Sequence, residues 1–426
     1  MRLIADRLYW APEGNGVPAP GDGKYQVVSV RDLHEEVYEV IHYPASALGR
    51  AFGPLSVRQM LQFCHKLHCM LEGGSDIVVT TPTRDLKIRT NSAVLIGAYL
   101  ALVHDFNLEA IVEAVGVADA ERKFCCSWAR TDKPEPRRLM AVGHCWEGVI
   151  LARDEGWLSK DCVTKEATML RTCEEHLQLS RAYDASWLVP GRIMVCADPV
   201  TTSLDPNPCT FSDIFPQVPQ ADRFYMDRES SAASVTSSPG SKESHSYAAT
   251  EPNSPCTNLD SCNSVNKEYQ HDFDDTNAGL PPLDFVSFLK SNGVGLVVRT
   301  NFMSEPGLKR SYDENEFAKC DIQHINVEVP DQNGGVPLKG QFEATWKKGE
   351  SILTGSQAVA IHCKCGFGRS VMVACYLAAK AYNLPGRALL GWVRLARPGA
   401  VNTPQQEAYL LALGTGPSEQ VCCALM

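Results

Sequence analysis

The chain has 426 residues, 44% apolar and 21% charged, with 40 basic against 50 acidic side chains and a net charge of −10. That length gives room for two or three domains of ~100–200 residues, and the composition excludes a globally disordered or collagen-like chain. The acidic balance argues against a general nucleic-acid binder and suits a basic partner or peptide. The longest apolar run, 93–103, is about half of the ~20 residues a membrane-spanning helix needs. The opening MRLIADRLYW has no apolar stretch before Asp6 and does not read as a secretory signal. Seventeen cysteines, scattered through apolar segments, read as mostly reduced, buried thiols of a cytosolic or nuclear protein.

In chain order, residues 55–73 carry helical apolar spacing. DIVVT (76–80) reads as a short buried strand, 81–90 as a polar loop, and SAVLIGAYLALVH (92–104) as a buried helix. Cys64, His65, His68 and Cys69 have i, i+4 spacings, but one helix cannot close a four-ligand site, so a packed face and no metal are expected. Residues 229–264 hold eleven Ser in thirty-six positions and one aromatic, Tyr247. Such a segment cannot bury enough apolar area to offset its ordering entropy, so a disordered insertion is expected over about 201–280. Ser238-Pro239 and Ser254-Pro255 within it are candidate proline-directed phosphosites. Beyond it, 284–292 reads as helix, VGLVVR (294–299) as strand and QAVAIH (357–362) as buried strand. Helices are expected over 370–382, 385–396 and 404–412.

Two of these units look alike. DIVVT, a loop, Arg89-Thr90 and AVLIGAYLAL parallel AVAIH, a loop, Arg369-Ser370 and VMVACYLAAK. The pattern alone leaves duplication level with convergence of two buried βα units.

The chemistry concentrates in His362-Cys363-Lys364-Cys365-Gly366-Phe367-Gly368-Arg369-Ser370, between an expected strand and an expected helix. A tight turn there exposes successive backbone N–H groups, and the following helix points its N-terminal amides at the same spot, which makes an anion site. Gly366 and Gly368 allow backbone angles that a side chain forbids. Arg369 offers a planar fork to two phosphate oxygens. The same dipoles stabilise a thiolate at Cys363, which can attack phosphorus in line. Ser370 can donate to that thiolate, and His362 orients the loop rather than acting as a base. The leaving oxygen needs an acid, and Asp331 in the turn-rich VPDQNGG is the candidate.

HCKCGFGRS resembles the active-site loop of the cysteine-dependent protein phosphatases, and VPD resembles their acid loop. DRLYWA, AFGPLSVRQMLQFCHKL, RTNSAVLIGAYLAL, SWLVPGRIMV and RPGAVNTPQQEAYL, in this order, resemble the mitotic-exit dual-specificity phosphatases of the cell-division-cycle-fourteen class. The resemblance covers most of 8–413 apart from the Ser-rich insertion. It implies an α/β fold of two tandem dual-specificity-phosphatase-like domains, each a central sheet flanked by helices. The first, 1–155, would be non-catalytic, in keeping with the absence of any Cys between Cys69 and Cys125. A linker helix over 156–188 would lead to a catalytic domain over 189–413, with the insertion after its first strand (192–196), and a tail over 414–426. The resemblance further implies phosphocysteine chemistry on phosphoserine, phosphothreonine and phosphotyrosine, with a preference for Ser-Pro sites of the cyclin-dependent-kinase type. It makes Gln405 and Gln406 water-positioning residues and places Glu175 in a groove for basic peptides. No cofactor is expected. Cys365 stands where the family has Ala, Val371 stands where it has Gly, and only Glu175 matches its groove acids.

Other readings come from the residues themselves. Cys365 is either a small filler or an oxidation partner of Cys363. Cys423-Ala424-Leu425-Met426 is a CaaX pattern whose terminal Met favours farnesyl transfer, with Cys422 beside it as a palmitoyl acceptor. Peripheral membrane association follows only if Cys423 is prenylated; otherwise a nuclear and cytoplasmic protein acting on phosphoproteins is expected. An inositol-phosphate phosphatase is disfavoured by Phe367 standing where a second loop Lys would be, and a phosphopeptide-binding pseudoenzyme is motivated by Val371 and Cys365.

Overall fold

Short β-branched runs form the strands, and longer apolar runs with polar starts form the helices. The computed structural model describes residues 2–13, 25–33, 53–82, 84–124, 139–199, 283–305, 310–331, 335–401 and 403–414. The first half runs β1 (Arg2–Ala5), β2 (Leu8–Pro12), β3 (Tyr25–Ser29), α1 (Val30–Leu33), α2 (Val57–Glu72), β4 (Asp76–Thr81), α3 (Leu86–Val103), α4 (Leu108–Val115), α5 (Val117–Ala120) and α6 (Val142–Asp154). Two helices follow, α7 (Asp161–Thr164) and α8 (Glu166–Tyr183). The second half begins with β5 (Ala185–Val189), β6 (Ile193–Cys196), α9 (Leu283–Ser291), β7 (Val294–Arg299) and α10 (Asn315–Ala318). It ends with β8 (Gln323–Asn326), α11 (Lys339–Thr354), β9 (Ala358–His362), α12 (Arg369–Tyr382), α13 (Gly386–Ala396) and α14 (Pro404–Ala412).

The two sheets share a plan. Their strand orders are β1-β2-β4-β3 and β5-β6-β9-β7-β8. Each opens with an antiparallel hairpin and continues with parallel strands. Strands β2, β4 and β3 take the places of β6, β9 and β7, with β8 added at one edge. Shared apolar composition does not by itself reproduce strand order and direction, so the topology favours one βα-rich unit used twice. Every residue of β7 and of β9 is buried, as in parallel strands covered on both faces.

A continuous apolar core runs through both halves, which lie in one compact unit of residues 1–218 and 279–426. At the seam α6 meets α13 with almost no space between backbones. A Cβ at Gly391 would overlap the His144 carbonyl, and one at Gly148 would overlap the backbone of Trp392. Within the second half, Trp392 donates Nε1–H to Leu188 O on β5 at 2.8 Å.

The structure changes three expectations. Helix α3 begins at Leu86 rather than 92, because Asp85 caps it by accepting from Lys87 N and Ile88 N, each at 3.1 Å. Half of the loop expected over 81–90, residues 86–90, is therefore helix, and Arg89 and Thr90 sit inside it. Helix α3 has 18 residues and mean hydropathy 1.3, long and apolar enough to cross a membrane, yet 83% of it is buried as a core helix. The helix expected over 156–188 stops at Tyr183, where Asp184 turns left-handed with φ 44°. Residues 185–189 instead form β5, a hairpin with β6 around Pro190 and Gly191 (φ +68°). Strand β6 is thus the second strand of its sheet, not the first. The insertion expected over about 201–280, with its two Ser-Pro sites, and the terminal Cys422 and Cys423 lie outside the described residues.

Candidate active site

Strand β9 delivers Cys363 to the base of a loop that closes on α12. The Cys363 Sγ accepts from Gly366 N at 3.2 Å and from Ser370 Oγ at 3.3 Å, and the residue is 4% exposed. Gly366 holds φ +71° where a Cβ would overlap the Cys196 carbonyl, so no other residue fits this bend. Helix α12 starts after Gly368 and no side chain caps it. Its first amides therefore face the loop unpaired by any carboxylate or hydroxyl, which leaves the positive end of the helix for an anion. Val371 in that first turn is completely buried, and the Ser370 bond to Cys363 forms beside it.

The loop is braced from outside. Arg397 donates Nε–H to Gly366 O at 2.6 Å and Nη2–H to Cys365 O at 3.1 Å, and its guanidinium lies 4.4 Å from the Phe367 ring centre. Val401, at a left-handed φ of 58°, donates its N–H to Phe367 O at 2.8 Å. A β-branched residue is strained there, and the bond to the loop holds it. Lys364 turns into the protein, with Nζ 3.6 Å from Asp198 Oδ2, and Asn301 Nδ2 donates to the same oxygen at 3.1 Å. Burial pushes the Cys365 thiol up to about 12. Cys363 and Cys365 are both free.

His362 is buried behind the loop. Its Nε2 lies 2.6 Å from the Tyr312 hydroxyl, which lies 2.8 Å from His324 Nε2. Burial lowers His362 to about 4, and burial with neighbouring His362 and Arg299 lowers His324 to about 3. Both rings are neutral at pH 7, so His362 is a brace.

Arg369 is the hub of the site mouth. Its Nη1 and Nη2 reach the two oxygens of Glu305, the latter at 3.2 Å. Nη1 also donates to Val329 O at 3.2 Å, and Nε lies 3.5 Å from Asp331 Oδ1. Burial opposes its charge, but Glu305 outweighs that and holds the guanidinium pKa above its ordinary value. Asp331 is 82% exposed at the rim. Gln406 is buried and directs Nε2 to Gly335 O at 3.5 Å, whereas Gln405 on the same turn is exposed. Glu175 is exposed on α8, 4.0 Å from Arg171, and no contact among the described residues joins it to the Cys363 loop. On α2, His65 Nδ1 lies 2.7 Å from Val163 O and Cys64 donates to Leu95 O at 3.8 Å. No metal-binding cluster occurs among the described residues.

Glu305, Tyr312, His324, Asp198 and Arg397 escaped the reading of the sequence. Arg397 had a signal in Arg-Pro-Gly after a helix. The others sit singly in polar or apolar stretches, and only folding brings them to the loop.

Residues 2–129 match the family described as "Dual specificity protein phosphatase, N-terminal half". "Dual specificity protein phosphatase CDC14B" of Mus musculus is 30% identical over 131 residues, 30% of this chain and 24% of that protein. "Dual specificity protein phosphatase CDC14AB" of Danio rerio is 21% identical over 408 residues, 95% of this chain and 50% of that protein. This chain thus spans about half, or less, of the length of these curated relatives. The crystal structure of kinase associated phosphatase with its catalytic cysteine replaced by serine superposes with TM-score 0.25 at 23% identity, over 29% of this chain and 71% of that one. Along almost its whole length the chain is thus similar to dual-specificity protein phosphatases of the CDC14 class, and its residues 2–129 match their N-terminal half.

Proposed function

We propose that the chain is a cysteine-dependent, metal-independent phosphatase of phosphoproteins. The observation that carries this reading is the Cys363 Sγ held by Gly366 N and Ser370 Oγ under the uncapped start of α12, with Arg369 and Asp331 beside it. A phosphoryl group resting on the loop amides places phosphorus in line with the sulfur. The Cys363 thiolate forms the S–P bond as the P–O bond to the serine, threonine or tyrosine oxygen breaks, and Asp331 gives that oxygen its proton. Water then attacks phosphorus, Asp331 takes the water's proton, and the S–P bond breaks with Ser370 donating to the departing thiolate. Arg369 holds two equatorial oxygens through both steps. Its fork is shared with Glu305, so substrate binding requires that carboxylate to yield or share the guanidinium.

The finer reading is a preference for phosphoserine followed by proline, supported by the motif-by-motif resemblance of 8–413 to the mitotic-exit class. Lys364 turned onto Asp198 argues for a monophosphate over an inositol polyphosphate, because its charge is already matched inside the protein. A nuclear and cytoplasmic location, and prenylation at Cys423, remain part of the same proposal. Intact-mass measurement on protein from its own cells tests the latter, and a free Cys423 refutes it.

The activity test is turnover of a phosphoserine-proline peptide, a phosphotyrosine peptide and inositol phosphates in EDTA. Hydrolysis of the peptides is expected, and Cys363→Ser should remove it while leaving peptide binding. Asp331→Asn should slow release of a serine leaving group by about 10²–10⁴-fold. Peptide binding without turnover by the unmodified chain would make it a pseudoenzyme.

A further inference from the structure

Glu407 lies next to Gln406 in the first turn of α14 and is completely buried. Its Oε2 accepts from Leu139 N at 3.1 Å and from Met140 N at 3.2 Å, both in the first half of the chain. Its Oε1 lies 3.7 Å from Nη1 of Arg394, also buried, on α13. A carboxylate placed between two backbone donors and a guanidinium, away from water, resists displacement, because moving it strands three polar groups.

The other side of this turn faces the site. Thr403 Oγ1 accepts from Gln406 N at 3.2 Å and caps the helix. The Gln406 amide packs on Gly335, whose φ is +64°. A Cβ there would lie 3.2 Å from Gln406 Nε2, 3.1 Å from Arg369 Cγ and 3.5 Å from Asp331 Oδ1. One short helical turn thus carries a side chain packed on Gly335 beside Arg369 and Asp331, and a neighbour bonded to the first half.

We propose that Glu407 is a positioning residue through which the non-catalytic half holds Gln406 in place for hydrolysis of the phosphocysteine. The proposal rests on the phosphatase reading above. It gives the first half a part in the chemistry without any reacting group of its own. A displacement of the amide by about 1 Å is enough to cost a large factor in the step it serves.

The test is rapid mixing of the full chain with p-nitrophenyl phosphate, with phosphocysteine quantified by mass spectrometry after acid quench. Glu407→Ala should give a burst of nitrophenolate and then a steady-state rate about tenfold lower. KM should fall with kcat so that kcat/KM stays level, and phosphocysteine should accumulate. Glu407→Gln, which keeps an acceptor for Leu139 N and Met140 N, should show a smaller change of about threefold. Arg387→Ala removes the 3.0 Å ion pair to Glu147, which also joins the halves, and should leave burst and rate unchanged. Parallel loss of kcat and kcat/KM without phosphocysteine in Glu407→Ala would reduce Glu407 to a structural residue. The same burst in Arg387→Ala would assign the effect to the seam in general and overturn the proposal. If the Ala variant does not fold, an unchanged partition in Glu407→Gln overturns it. Absence of nitrophenolate release by the unmodified chain, beyond that of Cys363→Ser, would instead sink the phosphatase reading, and this inference with it.

Discussion

The two strand-to-helix turns of this chain are built on the same strand order and filled in opposite ways. At the end of β4, the Asp85 carboxylate occupies the α3 N-terminus by accepting from Lys87 N and Ile88 N. Arg89 is spent on Asp119, with Nε to Oδ1 at 3.0 Å and Nη2 to Oδ2 at 2.8 Å, and it lies 4.6 Å from the Trp10 ring centre. Burial works against the Asp119 charge, but hydrogen bonds from Arg89 and Arg122 outweigh it and hold its carboxyl below the usual range. At the end of β9, no side chain caps α12, and a thiol lies beneath the turn. The first turn carries an anion at its helix start, whereas at the second the nearest carboxylate, Glu305, pairs with Arg369 and leaves the start of α12 uncapped. One scaffold therefore holds a closed structural joint and an open anion site, and the difference lies in a few loop residues rather than in the fold.

The sharpest way to break this comparison is to remove each arginine in turn. Arg369→Ala should lower kcat/KM by about 10³-fold or more, as expected for a guanidinium that stabilises a transferring phosphoryl group. Arg89→Ala should leave kcat/KM within about twofold while costing about 1–3 kcal/mol in urea unfolding, because Asp119 keeps only Arg122. Equal losses of turnover in both would mean that the first turn also serves the reaction.

Acid should act more strongly on the braces than on the turns. His362 sits at about 4 against an ordinary 6.5. A depressed histidine leaves the unfolded chain binding more protons between those values, so stability is full above pH 6.5 and falls as pH drops toward 4. The loss from His362 is about 3 kcal/mol. His144, which accepts from Ala141 N through Nδ1 at 2.9 Å in the first half, is lowered by burial to about 4 and adds a loss of the same sign. Urea midpoints measured from pH 7 to 4.5 should fall, and His362→Asn should flatten part of that slope. A flat profile in the unmodified protein would contradict the buried neutral pair of His362 and His324.

The smallest effect belongs to the cap. Asp85→Ala should destabilise the fold by about 1 kcal/mol, the ordinary value for a lost N-cap, and leave turnover alone. A fall in kcat there would tie the first turn to the site and weaken the contrast drawn between the two.

Local signals served the reading of the sequence well where one residue governs one element. The apolar runs of β4, β7 and β9 and the helix after β9 match their expected spans within a residue, because burial on both faces demands such runs. Lys87, Arg89 and Thr90 disguise the start of α3, although Asp85 marks it, and the expected linker helix over 156–188 takes in residues 185–188, whose partner strand lies across Pro190-Gly191.

The Cys363 loop was legible because its requirements are local: a thiol, a glycine at a left-handed angle, an arginine and a hydroxyl within nine residues. Its support was not. Glu305, Tyr312 with His324, Asp198, Arg397 and the Leu139–Met140 backbone come from segments far apart in the chain, and each counts only for what it touches. From its residues alone the chain shows buried βα segments and a glycine-bearing turn with a thiol, since backbone sterics and burial act along neighbouring residues. Which carboxylate each arginine meets, that Lys364 pairs with Asp198, and that Leu139 and Met140 bond the turn carrying Gln406 are set by the fold, because those partners lie far apart in the chain.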